Sequence, residues 1–131
     1  MNSVPMFLIN KILLVSLQGE INDNMALSFQ KSILDKIYET GAKGVLLNIS
    51  QLDIIDSYLG RIISETARMI QLLGAKAVLT GMKPYVAVTL EELGLNMQGV
   101  EIAMNADIGV KILEDYVKAS DFEEISAEDL E

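Results

Sequence analysis

Two aspartates and a serine fall within five residues of one another at Asp53, Asp56 and Ser57, in the run Ser50-Gln51-Leu52-Asp53-Ile54-Ile55-Asp56-Ser57-Tyr58-Leu59-Gly60-Arg61. Paired carboxylates can shuttle protons or hold a divalent cation, and a serine hydroxyl can attack a substrate or accept a phosphoryl group. The chain contains no His and no Cys. That removes the imidazole base, thiol chemistry, disulfides and the common zinc sites together. A nucleophilic serine would have only carboxylates and lysines to activate it. The spacing of Asp53 and Asp56 matches neither an EF-hand loop nor a Walker pattern, and there is no GxGxxG. Catalysis has little to stand on. The chain is expected to be no enzyme and to need no cofactor and no metal.

What remains is recognition. Ser57 falls where a helix is expected to start, so its hydroxyl has two readings. It can accept a helix N–H as a cap, which is the bland one. It can also take a phosphate, which would meet free backbone N–H groups and the positive end of the helix dipole. Both readings stay open at this point. Tyr58 either reaches outward to a partner or covers the sheet edge, and Arg61 either pairs with Asp53, Asp56 or a phosphate or stays solvated. Gly60, one turn into the helix, points to close packing. Ser50, Ser64, Thr80 and Thr89 are other hydroxyls, but none begins a helix beside an aspartate.

The elements that must position this cluster are read from apolar periodicity. Met6–Ile9 and Ile12–Leu17 read as short strands, the second ending at Gly19. A helix follows, capped at Asn22 or Asp23, with the stripe Met25, Phe29, Ile33 and Ile37 and a stop at Gly41. Gly44–Ile49 is nearly all apolar, as a central strand buried on both faces should be. A second helix carries Leu59, Ile62, Ile63, Thr66, Ile70 and Leu73. Ala77–Thr80 is another buried strand, Pro84 opens a third helix, Val100–Ala103 is a short strand, and Asn105 can cap a last helix. The order β-β-α-β-α-β-α-β-α predicts an α/β fold. Its sheet should be mostly parallel, with four to five strands and about four helices.

One core suits 131 residues, half of them hydrophobic. The formal net charge is −9, but eight acids and one base lie between Glu114 and Glu131, which leaves the preceding body near neutral at −2. Neither part offers a basic face for phosphates, so no nucleic acid is expected as a partner. No apolar stretch approaches the ~18 residues of a membrane span, and the first residues lack the pattern of a signal peptide. A cytoplasmic address and no membrane partner are the expectation. Residues 1–117 should form the domain and 118–131 a mobile acidic tail, in which Phe122, Ile125 and Leu130 could make a short amphipathic helix that docks on a neighbour.

The strand Val45-Leu46-Leu47-Asn48-Ile49, the following Asp53-Ile54-Ile55-Asp56-Ser57, the segment Gly74–Gly81 and the lead-in Gly81-Met82-Lys83-Pro84 together resemble the STAS family, over roughly residues 5–117. This is the domain of sulfate transporters and anti-sigma-factor antagonists. Where ordinary antagonists continue Asp-Ser-Ser/Thr-Gly, this chain has Asp56-Ser57-Tyr58-Leu59-Gly60. That form is similar to the single-domain scaffolds of the bacterial stressosome. The resemblance implies a phosphorylation site at Ser57 within a partner-binding surface of Asp53, Asp56, Ser57, Tyr58 and Arg61. It implies as partners an anti-sigma-type serine/threonine kinase, sensor paralogues carrying their own STAS domains, a phosphatase that resets Ser57, and a homo-oligomer. A stand-alone antagonist, a small-ligand-binding α/β domain and a transporter accessory protein are the alternatives.

Overall fold

The computed structural model describes residues 4–94 and 100–129, with side chains through Asp121. Five strands, β1 (Met6–Ile9), β2 (Ile12–Gly19), β3 (Gly44–Leu52), β4 (Lys76–Thr80) and β5 (Glu101–Ala103), lie side by side in chain order. β1 runs antiparallel to β2 through a two-residue turn at Asn10 and Lys11, both with positive φ, as the twist of a tight hairpin demands. All other neighbours are parallel. The helices are α1 (Asp23–Thr40), α2 (Ser57–Leu72), α3 (Pro84–Glu92) and α4 (Ala106–Asp129). The mostly parallel α/β fold expected from the sequence is the fold observed.

Right-handed crossovers that always step in one direction across a sheet put their helices on one face. So α1, α2 and α3 share a face, where Phe29, Ile33, Leu59, Ile63, Ile70, Val86 and Leu90 pack against alternate residues of β2, β3 and β4. The row Leu13, Val45 and Ala77 runs across three paired strands at zero exposure. α4 returns across the opposite face, where Leu113 and Val117 meet Ile12, Leu46 and Val78. β3 is thereby buried on both faces. The N-cap of α1 is Asn22, whose Oδ1 accepts from the Met25 amide at 2.9 Å, and Gly41 closes that helix.

The close approach of α4 rests on Gly109. A Cβ there would lie 2.5 Å from Leu46 Cδ1 and 2.7 Å from Thr80 Cγ2, so those side chains would have to shift to admit one. Gly109 therefore lets the helix backbone come close to the sheet beside the Leu113 and Val117 contacts.

α4 does not end near residue 117 but continues as helix through Asp129. Phe122 to Asp129 holds no Gly or Pro to stop it. Asp121 anchors the middle of the helix to the sheet: its Oδ1 accepts from Lys11 Nζ at 3.1 Å and from Lys43 Nζ at 3.4 Å. The proposed docking of Phe122, Ile125 and Leu130 concerns side chains outside the described ones. The Lys11 ammonium, donating to Asp121, holds its carboxyl below the ordinary aspartate range, with a smaller opposing push from burial and further help from Lys43.

Two outcomes test this packing. Gly109→Ala should lower unfolding stability by about 1–3 kcal/mol in a denaturant titration, as overpacking does; an unchanged midpoint would remove the contact argument. The Asp121 carboxyl should titrate below the ordinary aspartate value by NMR, and Lys11→Ala should move its midpoint upward. Because the folded value is the depressed one, the ion pair's contribution is complete above the ordinary aspartate pKa and fades as pH falls through the folded value.

Candidate functional site

β3 is the middle strand, so its carboxyl end emerges at the centre of one sheet edge. In open α/β sheets this edge is where ligands and partners engage. Leu52 is still buried; Asp53 and Ile54 are exposed; Ile55 turns back into the main core; Asp56 is exposed again. The Asp53 amide donates to the Gly19 carbonyl at the end of β2, at 3.2 Å. One backbone bond and one buried isoleucine thus hold the short connection between strand and helix.

The helix is capped by Asp56, not Ser57. Asp56 has extended backbone, and its Oδ1 accepts from the Leu59 amide at 2.8 Å. Its carbonyl accepts from the Gly60 amide at 2.9 Å. A carboxylate at this position also faces the positive end of the α2 dipole. Ser57 is the first residue of the helix, exposed, and no hydrogen bond engages its hydroxyl among the described residues. Of the two places the sequence allows Ser57, the cap or the first turn, it stands in the first turn, and the neighbouring residue fills the cap.

The other expected residues divide. Tyr58 is half-buried and packs against the main core. Gly60 is buried on the packed side of α2. Arg61 is exposed, one turn beyond Ser57 on the same side of the helix. It forms no ion pair with Asp53 or Asp56 among the described residues. Of the competing hydroxyls, Ser64 and Thr80 are buried. Thr89 is half-buried and donates to the Tyr85 carbonyl at 2.8 Å. Ser50 is half-buried. Of these five hydroxyls, Ser57 alone is exposed at a helix start.

Lys83 and Tyr85, at the start of α3, belong to this site and were missed from sequence. Lys83 Nζ donates to the Leu52 carbonyl at 3.4 Å, and the Tyr85 hydroxyl donates to the Asp53 carbonyl at 2.5 Å. The only local signal was the lead-in Gly81-Met82-Lys83-Pro84, which says nothing about what it touches. An open cleft of about 280 Å³ lies beside the cap, lined by Glu20, Ile21, Asn22, Ile54, Asp56 and Leu59. Among the described residues no group of three or more acidic side chains could hold a metal. No helix among them is long and apolar enough to cross a membrane.

Comparison with known proteins agrees with this architecture. The STAS domain family matches residues 5–105. A solved RsbS from Moorella thermoacetica, carrying a serine-to-glutamate substitution, is 33% identical, superposes with a TM-score of 0.78, and the match covers 88% of this chain and 97% of that one. A chain from a structure describing the molecular architecture of the stressosome, a signal integration and transduction hub, is 31% identical with a TM-score of 0.73, covering 86% of this chain and 97% of that one. The RsbT co-antagonist protein RsbRA of Bacillus subtilis is 26% identical over 97 residues, 74% of this chain and 35% of its own length. The chain spans little more than a third of the curated relatives it matches. With its sheet order, its Asp56-capped helix and its matched residues together, the chain belongs to the STAS domain family.

Proposed function

We propose that this chain is a phosphorylation-switched scaffold of a stressosome-type assembly. It holds an anti-sigma-type serine kinase through the surface around Ser57 and releases it when Ser57 is phosphorylated. A phosphatase returns the serine to its starting state, and sensor paralogues join through STAS domains of their own. The observation that carries this reading is the exposed, unengaged Ser57 hydroxyl beside a helix cap supplied by another residue. The likeness to RsbS and to a stressosome chain supports the assembly.

The physics of such a switch follows from the position. A phosphate on Ser57 adds about −1.5 to −2 charges. It would sit at the amino end of α2, where the dipole favours an anion by roughly 0.3–1 kcal/mol, with Arg61 one turn away. The Asp56 carboxylate next to it opposes the new charge at comparable magnitude, since two charges about 4 Å apart in water interact by ~1 kcal/mol. The opposing effects nearly cancel for the fold. They do not cancel for a partner. Exposed Ile54 and the exposed Tyr85, whose hydroxyl reaches the Asp53 carbonyl, offer apolar contact near the serine, and a dianion beside them changes what can dock.

Incubation with the cognate kinase and ATP should label Ser57, and Ser57→Ala should abolish the label; label persisting on that variant would sink the assignment. Because Asp56 is the cap, Ser57→Ala should stay within about 0.5 kcal/mol of the parent in stability, whereas Asp56→Ala should lose about 1 kcal/mol. Ser57→Asp should weaken kinase capture roughly tenfold, or about 1.4 kcal/mol; undiminished capture would remove the release step. Mixed with a sensor paralogue, the chain should elute in a large particle. Small complexes alone would favour a stand-alone antagonist.

A further inference from the structure

The start of α3 breaks local rules for helix termini. Its N-cap residue is Lys83, which has no side-chain acceptor to offer the first amides and makes no cap hydrogen bond. A cation there also faces the positive end of the helix dipole. Broken local rules of this kind tend to be compensated by contacts elsewhere. Here the compensation lies across the sheet edge, on the connection that leads to Ser57.

Two groups make three contacts with two consecutive carbonyls. Lys83 Nζ reaches the Leu52 carbonyl at 3.4 Å. The Tyr85 hydroxyl reaches the same carbonyl at 3.4 Å and the Asp53 carbonyl at 2.5 Å. Tyr85 is 46% exposed, so burial does not explain an aromatic residue at this position. Its hydroxyl, tied back to the strand end, does. Gly81 permits the approach. Its φ is +80°, and a Cβ there would lie 2.6 Å from Ser50 Cβ and 2.9 Å from the Ser50 amide nitrogen, so only glycine lets the end of β4 press against the end of β3. Pro84 then fixes the first helical φ and sets the direction of Tyr85.

We propose that Lys83 and Tyr85 are positioning residues that clamp the Leu52–Asp56 connection and so set the pose in which Ser57 meets the kinase; this rests on the switch reading above. The connection carries one backbone tie to β2 and the Asp56 cap at its far end. The clamp fixes the strand side of the same span. Ser57 is four residues beyond the clamped Asp53 carbonyl, close enough that a loosened connection moves its hydroxyl. Misplacement of a reacting group by even an ångström slows a transfer step much more than it weakens binding.

Tyr85→Phe removes only the hydroxyl. In the full chain it should accelerate amide hydrogen exchange at Ile54 to Asp56 while leaving β3 and β4 at parent rates. It should lower kcat for phosphorylation of Ser57 by about three- to tenfold, the span of one neutral hydrogen bond, with KM within about twofold. Lys83→Met, which keeps the apolar stem and removes the ammonium, should act in the same direction and serves if Tyr85→Phe does not fold. Equal exchange in the connection, or equal kcat with a parent that is labelled, overturns the clamp. A parent that takes no label at Ser57 overturns the switch instead, and the exchange rates then decide the clamp by themselves.

Discussion

An α-helix begins with amides that have no partner inside the helix. At α2 the Asp56 carboxylate takes one of them, the Leu59 amide. The rest of the site depends on that contact. It fixes where the helix starts, so that Ser57 is its first residue. It places a negative charge where the dipole favours one. It also leaves the serine hydroxyl without a structural duty. A serine that capped the helix itself would have to give up that bond on phosphorylation, at about 1 kcal/mol. With aspartate as the cap, chemistry at the serine and integrity of the helix are separated.

The cap is held in place by the strand before it. β3 lies between two parallel neighbours and under helices on both faces, the arrangement parallel strands require because neither face can be left to water. Its residues alternate between the two clusters, Val45 and Leu47 toward α1 and α2, Leu46 toward α4. A one-residue slip would reverse every one of these choices. Gly109 contributes from the far side, where the α4 backbone comes close to Leu46 and Thr80. The position of Asp56 at the sheet edge is thus inherited from packing well inside the molecule.

Much of this was legible before any coordinates. Continuous apolar runs marked the buried strands, and Asn22, Gly41 and Pro84 marked helix ends, because these signals are local. The cap of α2 was not separable in this way. Asp and Ser are both good caps, and which one serves is decided by a single extended residue, Asp56 at φ −107° and ψ −178°. Lys83 and Tyr85 were invisible for a different reason. Their partners, Leu52 and Asp53, are about 30 residues away and are backbone carbonyls, which leave no trace in side-chain identity. The run of α4 past residue 117 leaves little trace in the sequence, because the acidic composition there carries no apolar period. The anchoring cations, Lys11 and Lys43, lie far off in the chain, 110 and 78 residues from Asp121.

The supports of the Ser57 connection share one property. The Gly19 carbonyl holds a backbone amide, and Lys83 and Tyr85 hold backbone carbonyls. Within the connection itself, among the described residues, only Ile55 and Asp56 use their own side chains to hold it, one by burial and one by capping. Asp53, Ile54 and Ser57 therefore point outward with little demanded of them by the fold. Exposed positions free of such demands generally change stability by no more than about 0.5 kcal/mol when substituted. Their identities can be set by what a partner recognises, while the backbone beneath them is shaped by contacts that no substitution at these three positions removes. A surface built this way can carry a charge switch without the scaffold having to move.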